Sequence, residues 1–128
     1  MTMQVELVSP ERILWSGEAD MVVCRTTDGD IAFLSNHAPF IGALGIGMVK
    51  IEEPGGQQTK VAVHGGFVEV SHNKVTLLSD VAEVAADIDI NRAREAKERA
   101  EAALRQQHDV EAEAALRRAN LRLELTGA

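Results

Sequence analysis

Hydrophobic and polar residues alternate with a period of two along the first two thirds of the chain. In residues 3–7 every second position is apolar, and residues 13–16 repeat this spacing. Alternation of this kind is typical of strands with one buried face. Further strands are predicted at 20–26, 30–34, 47–52, 59–63, 67–71 and 75–78. Many short strands without helix-length segments between them favour antiparallel pairing in a β-sandwich or flattened barrel.

Turn signals separate the predicted strands. They stand at Ser9-Pro10, Asp28-Gly29, Asn36-His37-Ala38-Pro39, Pro54-Gly55-Gly56, Gly65-Gly66 and His72-Asn73. Gly, Pro, Asn and Asp favour turns because they fix or tolerate backbone angles that other residues avoid. Glycines within strand-like sequence, such as those at 42, 45 and 47, indicate bulges, bends or the close approach of another chain.

The apolar period changes to that of a helix near Asp87. Asp87 and Asp89 are suitable N-cap residues, and 90–107 is rich in strong helix formers. A narrow apolar stripe follows from Ala93, Ala96, Ala100, Ala103 and Leu104. After a polar break at Gln107-His108-Asp109, a second stripe comprises Ala112, Ala115, Leu116, Ala119 and Leu123. Two amphipathic helices with so short a connection predict an antiparallel hairpin.

Composition divides the chain at the same point. All three prolines and nine of the ten glycines lie at or before residue 66, whereas residues 87–128 contain one glycine and ten alanines. We therefore predict a β-sandwich over 1–86 and a helical hairpin over 87–128. Facing alanines allow close packing but bury little apolar area, so the hairpin is predicted to be marginally stable. That property suits either a switch or a permanently docked appendage.

The charge of the chain limits its partners. A net charge of −7 and a pI near 5.0 disfavour nucleic acids and anionic lipids, which are bound through Lys and Arg. The weakly polar segment 38–49 is interrupted by proline and glycine and is too short to span a bilayer. No secretory signal is visible at the start of the sequence. Membrane association is therefore predicted only through a protein partner, and the single cysteine, Cys24, is predicted to be buried and inert.

Residues suited to catalysis are sparse, and one polar cluster is of interest. His37, His64, His72 and His108 show no metal-binding spacing, and nucleophile and phosphate-loop motifs are absent. His37 is expected to pack or cap a turn, and His64 to hydrogen-bond the backbone at a strand end. By contrast, Asp89, Arg92, Arg99, Arg118 and Arg122 place several guanidiniums beside a carboxylate, which suits phosphate recognition. The alternative is that these residues are ordinary solvated charges on exposed helix faces.

An apolar edge is predicted where the glycines at 42–47 meet large hydrophobic side chains. We place a partner interface at His37, Pro39, Phe40, Ile41 and Leu44. Core packing of the same residues is the alternative, because glycine-rich strands also bend inside a sandwich.

The ordered set of motifs resembles the epsilon subunits of bacterial F-type ATP synthases. The matching segments begin with 5–10 and 14–19, and continue through 29–39, 63–70 and 75–80 to 87–93 and 96–100. The resemblance therefore covers nearly the whole chain. Ser35, in place of a proline often found before the x-His-x-Pro turn, is a departure, as is Ala32-Phe33 in place of a Gly-Ile or Gly-Val pair.

The resemblance implies a sandwich of about ten strands that binds the gamma subunit and rests on the c-subunit ring. It also implies a hairpin that either packs on the sandwich or extends along gamma into the alpha/beta catalytic head, where it suppresses ATP hydrolysis. The protein is then non-catalytic, peripheral to the cytoplasmic face of the bacterial cell membrane, and requires no cofactor. Some members bind ATP as a regulatory ligand through Ile-Asp-x-x-Arg-Ala, which stands here as residues 88–93. The implied nucleotide site comprises Glu83, Ile88, Asp89, Arg92, Ala93, Arg99, Arg118 and Arg122.

Two other classes of protein compete with this interpretation. One is a stand-alone β-sandwich binding module whose helices form a dimerising coiled coil. The other is a metal-dependent enzyme that uses His37, His64 or His72. A concentration-dependent homodimer is typical of the first, and stoichiometric metal of the second.

Overall fold

The computed structural model describes residues 1–107 and 109–127, which form a β-domain followed by two helices. The strands are β1 Met3–Val8, β2 Ile13–Ala19, β3 Met21–Thr26, β4 Gly29–Leu34, β5 Phe40–Glu52, β6 Gln58–Ser71, β7 Lys74–Leu78 and β8 Ala82–Val84. A 3-10 turn at Ala85–Asp87 leads to helices α1 Ile90–Gln106 and α2 Val110–Thr126. His108, predicted in the connection, and Ala128, the predicted end of the hairpin, lie outside the described residues.

All strands belong to one sheet, with the order β2-β1-β7-β6-β5-β3-β4 and with β8 paired to β6. The predicted class, a mostly antiparallel β-domain before a helical hairpin, is confirmed. Two details were wrong. The β1–β7 pair is parallel, because β1 lies between β2, its antiparallel neighbour in sequence, and β7, which runs in the same direction as β1. The described residues form eight strands rather than about ten, because β5 and β6 each run the length of two.

The strands β5 and β6 are long enough to pass from one layer of the domain to the other. They pair in one unbroken register from Phe40↔Val70 to Glu52↔Gln58. The predicted turn at Gly65-Gly66 is therefore wrong, since these residues lie inside β6 with φ values of 92° and 125°. Such angles are accessible to glycine and let a strand bend without leaving its sheet.

The sheet folds over so that its two ends share one core. Phe33 of β4 and Val5 of β1, from opposite halves of the strand order, belong to the same buried cluster. Asn73 joins the two ends, because its Oδ1 accepts a hydrogen bond from Asn36 N at 2.8 Å and its Nδ2 donates to Thr2 O at 3.0 Å. The domain is thus a closed sandwich. Cys24 is buried in this core as predicted, and burial, together with the charge of Asp30, raises its pKa to about 11.

Helix α2 lies between the sandwich and α1. Leu121 and Leu125 pack against Ala62 of β6 and Ile88, in a small cluster separate from the main core. The predicted stripe is partly right, since Ala112, Ala119 and Leu123 are buried. Leu121 and Leu125 were not in that stripe, because it described a single buried face and α2 has two. No helix in the described part of the chain is long and apolar enough to cross a membrane.

Candidate functional site

A cleft of about 370 Å³ opens where the sandwich meets the start of α1 and the end of α2. Its walls come from β8, the 3-10 turn and both helices, so it exists only while the hairpin is docked. It is lined by Val81, Glu83, Asp87, Asp89, Arg92, Ala93, Ala96, Arg99 and Arg122. Six of the eight residues predicted for a nucleotide site are among these.

Asp89 shapes the cleft by starting α1. It is the N-cap residue, and its Oδ1 accepts a hydrogen bond from Arg92 N at 3.1 Å. This bond satisfies one of the free N–H groups at the first turn. The carboxylate is therefore committed to the backbone, and it fixes the position of Arg92 one turn into the helix. Ala93, next in sequence, is buried and small, which lets the two helices approach each other at this point.

Arg92 and Arg99 are the available cations of the cleft. Both are exposed on α1, and neither forms a salt bridge with any residue that the structure describes. A guanidinium presents a planar fork of N–H donors that matches the oxygens of phosphate or carboxylate groups. Two such groups two turns apart on a single helix face indicate an anion site.

The third arginine of the cleft is already paired. Arg122 Nε of α2 donates to Glu83 Oε1 of β8 at 2.5 Å. The same oxygen lies 3.3 Å from His64 Nε2 of β6. Because the side chains of Arg122 and Glu83 are 22% and 30% exposed, this ion pair is partly shielded from solvent. It ties the last helix directly to the sandwich.

His64 is the most deeply buried titratable group of this region, with a side chain only 3% exposed. The prediction that its ring bonds the backbone was wrong, since its partner is the Glu83 carboxylate. Burial, and then the positive charge of Arg122, lowers its pKa, although the bond to Glu83 opposes the shift. The imidazole is therefore neutral near pH 7.

Two of the predicted residues lie outside the cleft. Arg118 lines an adjoining cleft that shares Arg99 and Arg122 with the first, and its Nη2 bonds Glu111 Oε1 at 2.7 Å. Ile88 is buried against Leu121 and Leu125, so it supports the cleft from below. Its two neighbours in sequence, Asp87 and Asp89, are exposed.

Sequence reasoning missed three lining residues, Val81, Asp87 and Ala96, together with His64 behind them. The sequence pattern indicates Asp87 only as a helix cap and Ala96 only as part of the apolar stripe. Val81 is 47% exposed before the short strand β8, which no periodic pattern reveals because it has only three residues. A histidine directly before two glycines was the one available signal for His64.

The predicted partner edge separates into inward and outward residues. Leu44 is 4% exposed and belongs to the core, so its assignment to a surface was wrong. Phe40 packs against that core, with its ring 5.6 Å from that of Phe33. His37 stacks edge-on against Phe33 at 5.0 Å and lies 2.7 Å from Ala38 O, so it packs and caps as expected. Pro39 is exposed, and Ile41 is 74% exposed.

Ile41 lies beside a continuous apolar row that crosses five strands on the outside of the sandwich. Its members are linked by register, through Ala43↔Phe67, Phe67↔Leu78, Val8↔Leu78 and Val8↔Ile13. Phe67 and Ile13 are each 59% exposed. We call this set, with Ile41, the outer row. An apolar surface of this continuity is typical of an interaction site.

The histidines of the metal-enzyme alternative lie in separate surroundings. His72 Nδ1 lies 2.7 Å from Ser71 Oγ in an exposed turn, His64 contacts Glu83, and His37 contacts Phe33. Among the residues that the structure describes, no three His, Cys, Asp or Glu side chains gather to hold a metal ion.

Comparison with known proteins accounts for both domains. The family model for the β-sandwich domain of the ATP synthase delta/epsilon chain matches residues 2–85. The model for the long α-helix domain of the same chain matches residues 86–127. The chain belongs to the ATP synthase delta/epsilon family.

Bacterial relatives in this family match nearly the whole of this chain. The protein is 47% identical to the ATP synthase epsilon chain of Symbiobacterium thermophilum, covering 98% of this chain and 94% of that one. It is 44% identical to that of Streptomyces avermitilis, covering 98% and 96%. It is 42% identical to that of Halalkalibacterium halodurans, covering 98% of both.

Solved structures share the fold at low sequence identity. A chain of the Euglena gracilis mitochondrial ATP synthase OSCP/F1/c-ring assembly superposes with a TM-score of 0.74 at 23% identity, covering 98% of this chain and 78% of that one. A chain of the Tetrahymena thermophila central stalk and c-ring assembly gives 0.61 at 16%, covering 98% and 97%. These likenesses show that the fold of this chain is shared with chains of those assemblies.

Proposed function

We propose that this chain is a non-catalytic central-stalk subunit of a bacterial F-type ATP synthase. Its sandwich binds the gamma subunit and rests on the c-subunit ring, and so couples the catalytic head to the membrane rotor. The observation that carries this proposal is the match of both family domains, in order, over residues 2–127. Its place is peripheral, at the cytoplasmic face of the membrane, and is reached through the complex.

The outer row is the surface that we assign to gamma. Phe67 and Leu78 form a cross-strand pair at its centre, and both are exposed in the isolated chain. Covering such a pair contributes about 1.5–3 kcal/mol for each large side chain that becomes fully buried. Polar residues border the row, because Ile41 pairs with Glu69, Glu69 with Thr76, and Thr76 with Glu6. An apolar centre with a polar rim is the usual composition of a protein interface.

A charge at the centre of the outer row tests this assignment. We expect Phe67→Asp to abolish co-purification with gamma, because the carboxylate would lose its water on binding. Leu34→Asp is the matched control, since Leu34 is a similarly exposed strand residue outside the row, at 58%. Retained binding by Phe67→Asp, or equal loss in both variants, would contradict the assignment. Unchanged thermal unfolding of each variant shows that the sandwich is intact.

The hairpin supplies regulation in this proposal. Docked, it leaves the catalytic head free; extended along gamma, it reaches the alpha/beta subunits and suppresses ATP hydrolysis. The small apolar area of the α1–α2 contact supports an extended hairpin whose free energy lies close to that of the docked one, because α1 buries only Ala93 and Ala100 among its described residues. A packed state of this kind is displaced by a modest change in free energy.

The cleft is assigned to ATP as a regulatory ligand. Unpaired Arg92 and Arg99 supply donors for phosphate oxygens, and Arg122 completes the charge from α2. Because the walls come from the sandwich and both helices, any ligand held there stabilises the docked hairpin. At ten times its dissociation constant, such a ligand contributes about 1.4 kcal/mol to that state.

Calorimetric titration of the isolated chain with ATP tests the cleft. We expect Arg92→Gln to raise the dissociation constant by about tenfold or more, since a charge-assisted hydrogen bond contributes about 1.5–3 kcal/mol. Arg105→Gln is the control, because Arg105 is exposed on the same helix and does not line the cleft. Absence of binding at millimolar ATP would remove the nucleotide role and leave the gamma interface unaffected.

A further inference from the structure

His64 lies on the face of the sandwich that the hairpin covers. In β6, Ala62 packs against Leu121 and Leu125 of α2, and His64 shares its side of the strand because side chains alternate. Glu83 pairs with Ala62, and Ile46 pairs with His64, so both lie on the same side. The docked helix therefore encloses the histidine together with its carboxylate partner.

The hydrogen-bond partners of His64 fix its tautomer. Glu83 Oε1 already accepts from Arg122 Nε, as an ionised carboxylate does, and it lies 3.3 Å from His64 Nε2. His64 Nε2 therefore carries the hydrogen and Nδ1 carries the lone pair. Nδ1 is buried and has no hydrogen-bond partner among the described residues. A proton added to the ring would create a second N–H group in a place without an acceptor, which is unfavourable.

We propose that His64, Glu83 and Arg122 form a proton-sensitive latch that holds α2 on the sandwich, and that protonation of His64 releases the hairpin. The latch joins three elements through one carboxylate oxygen. Docking requires His64 to be enclosed and neutral. Undocking removes the helix that covers it and admits water to both ring nitrogens.

The charges around His64 determine the direction of the effect. Arg122 and Arg118, both on α2, disfavour the imidazolium, whereas Glu83, on β8, favours it. When α2 leaves, both arginines leave with it and Glu83 stays. The pKa of His64, lowered in the docked state chiefly by burial, then rises. The undocked state binds more protons, so docking is strongest above the ordinary histidine pKa of about 6.5 and weakens as the pH falls below it.

The docking equilibrium is a property of the isolated chain, and only its regulatory use depends on the proposed function. In the enzyme, acidification would favour the extended hairpin. Because the latch needs no nucleotide, it is testable in ATP-free buffer, where the outcome is independent of the cleft.

Hydrogen exchange of the full chain at two pH values tests the latch. Between about pH 7.5 and about pH 5.5, after correction for intrinsic exchange, we expect the protection of α2 to fall by about threefold or more. Protection of β6 and β7 should stay constant. His64→Gln keeps a donor for Glu83 but does not titrate, so its α2 protection should not depend on pH. His72→Asn, in an exposed turn with φ of 52°, should behave as the unmodified chain.

A second measurement follows His64 itself by NMR in the unmodified protein. We expect its pKa below the ordinary value, and a shift back toward that value in Leu125→Ala, whose hairpin is less firmly docked. Protection of α2 that is independent of pH in the unmodified chain would overturn the proposal. So would a pH-dependent loss that persists in His64→Gln, or a His64 pKa that Leu125→Ala does not move. If release occurs but hydrolysis by the complex does not change, only the regulatory role fails.

Discussion

At the scale of single residues, the lack of a side chain at Gly66 allows β6 to bend against the end of β7. A Cβ on Gly66 would lie 1.9 Å from Leu78 O, and the residue has φ of 125°. The adjacent Ser79 is buried, and its hydroxyl lies 2.7 Å from Gly65 O and 2.9 Å from Val81 O. Close backbone contact and a satisfied hydroxyl therefore hold the bend of β6 against the end of β7.

Gly66→Ala is expected to destabilise the sandwich by about 3 kcal/mol or more, because it adds a clash with backbone atoms to an unfavourable φ. Gly55→Ala separates the two effects. Gly55 has φ of 95° but open space around its Cβ position, so we expect a loss of about 1 kcal/mol. Denaturant unfolding measures both free energies. Equal losses in the two variants would show that backbone conformation alone matters at Gly66.

At the scale of elements, α2 is the part that connects the two domains. Ala112 and Ala115 line a cleft with Ala96 and Ala100 of α1, whereas Leu121 and Leu125 pack against the sandwich together with Ala62 and Ile88. Gly127, with φ of 73°, ends the helix by donating its N–H to Glu124 O, as left-handed caps do. The hairpin is thus held chiefly through its second helix, and α1 docks on α2.

Replacing both Leu121 and Leu125 by alanine should detach the hairpin without unfolding the sandwich. Each change removes apolar contact at an interface, and we expect docking to weaken by about 2 kcal/mol per residue. Hydrogen exchange should show loss of protection in α2 with unchanged protection in β5 and β6. Leu116→Ala, at a half-buried position outside the docking cluster, is the control. Equal effects of the control and the double variant would contradict the two-faced description of α2.

At the scale of the whole molecule, the main core belongs to the sandwich alone. Its buried cluster draws on every strand from β1 to β7 and on no helix. The second cluster, under α2, has only four buried residues. Folding of the sandwich therefore depends little on the hairpin, and movement of the hairpin is compatible with a rigid sandwich domain. That the boundary lies at residue 86 stays a prediction.

Removal and release of the hairpin are expected to act in opposite directions on the assembled enzyme. Deleting residues 87–128 should raise ATP hydrolysis, because no segment remains to enter the catalytic head, while synthesis and binding to gamma persist. The Leu121 and Leu125 double variant should lower hydrolysis, because it keeps the helices but frees them from the sandwich. Steady-state hydrolysis by reconstituted complexes measures both. Unchanged hydrolysis after deletion would exclude inhibition by this hairpin.

The sequence by itself determined both helices, most of the strands and their order, but not β8 or the first half of β5. Period-two alternation placed the strands, and the change of period with Asp89 as N-cap placed α1 within one residue of its observed end. These features are local, because alternation and capping depend on neighbouring residues. The motif at 88–93 and the arginines of the helices also supplied five of the nine residues that line the cleft.

Only the tertiary structure decided which distant residues meet. The parallel β1–β7 pair, the inward direction of Leu44 and the second buried face of α2 each depend on contacts between segments far apart in sequence. The contacts of Glu83 with His64 and Arg122 also join segments far apart in sequence, since 19 and 39 residues separate Glu83 from these two partners. Local periodicity records that a side chain is buried. It carries no information about which partner buries it.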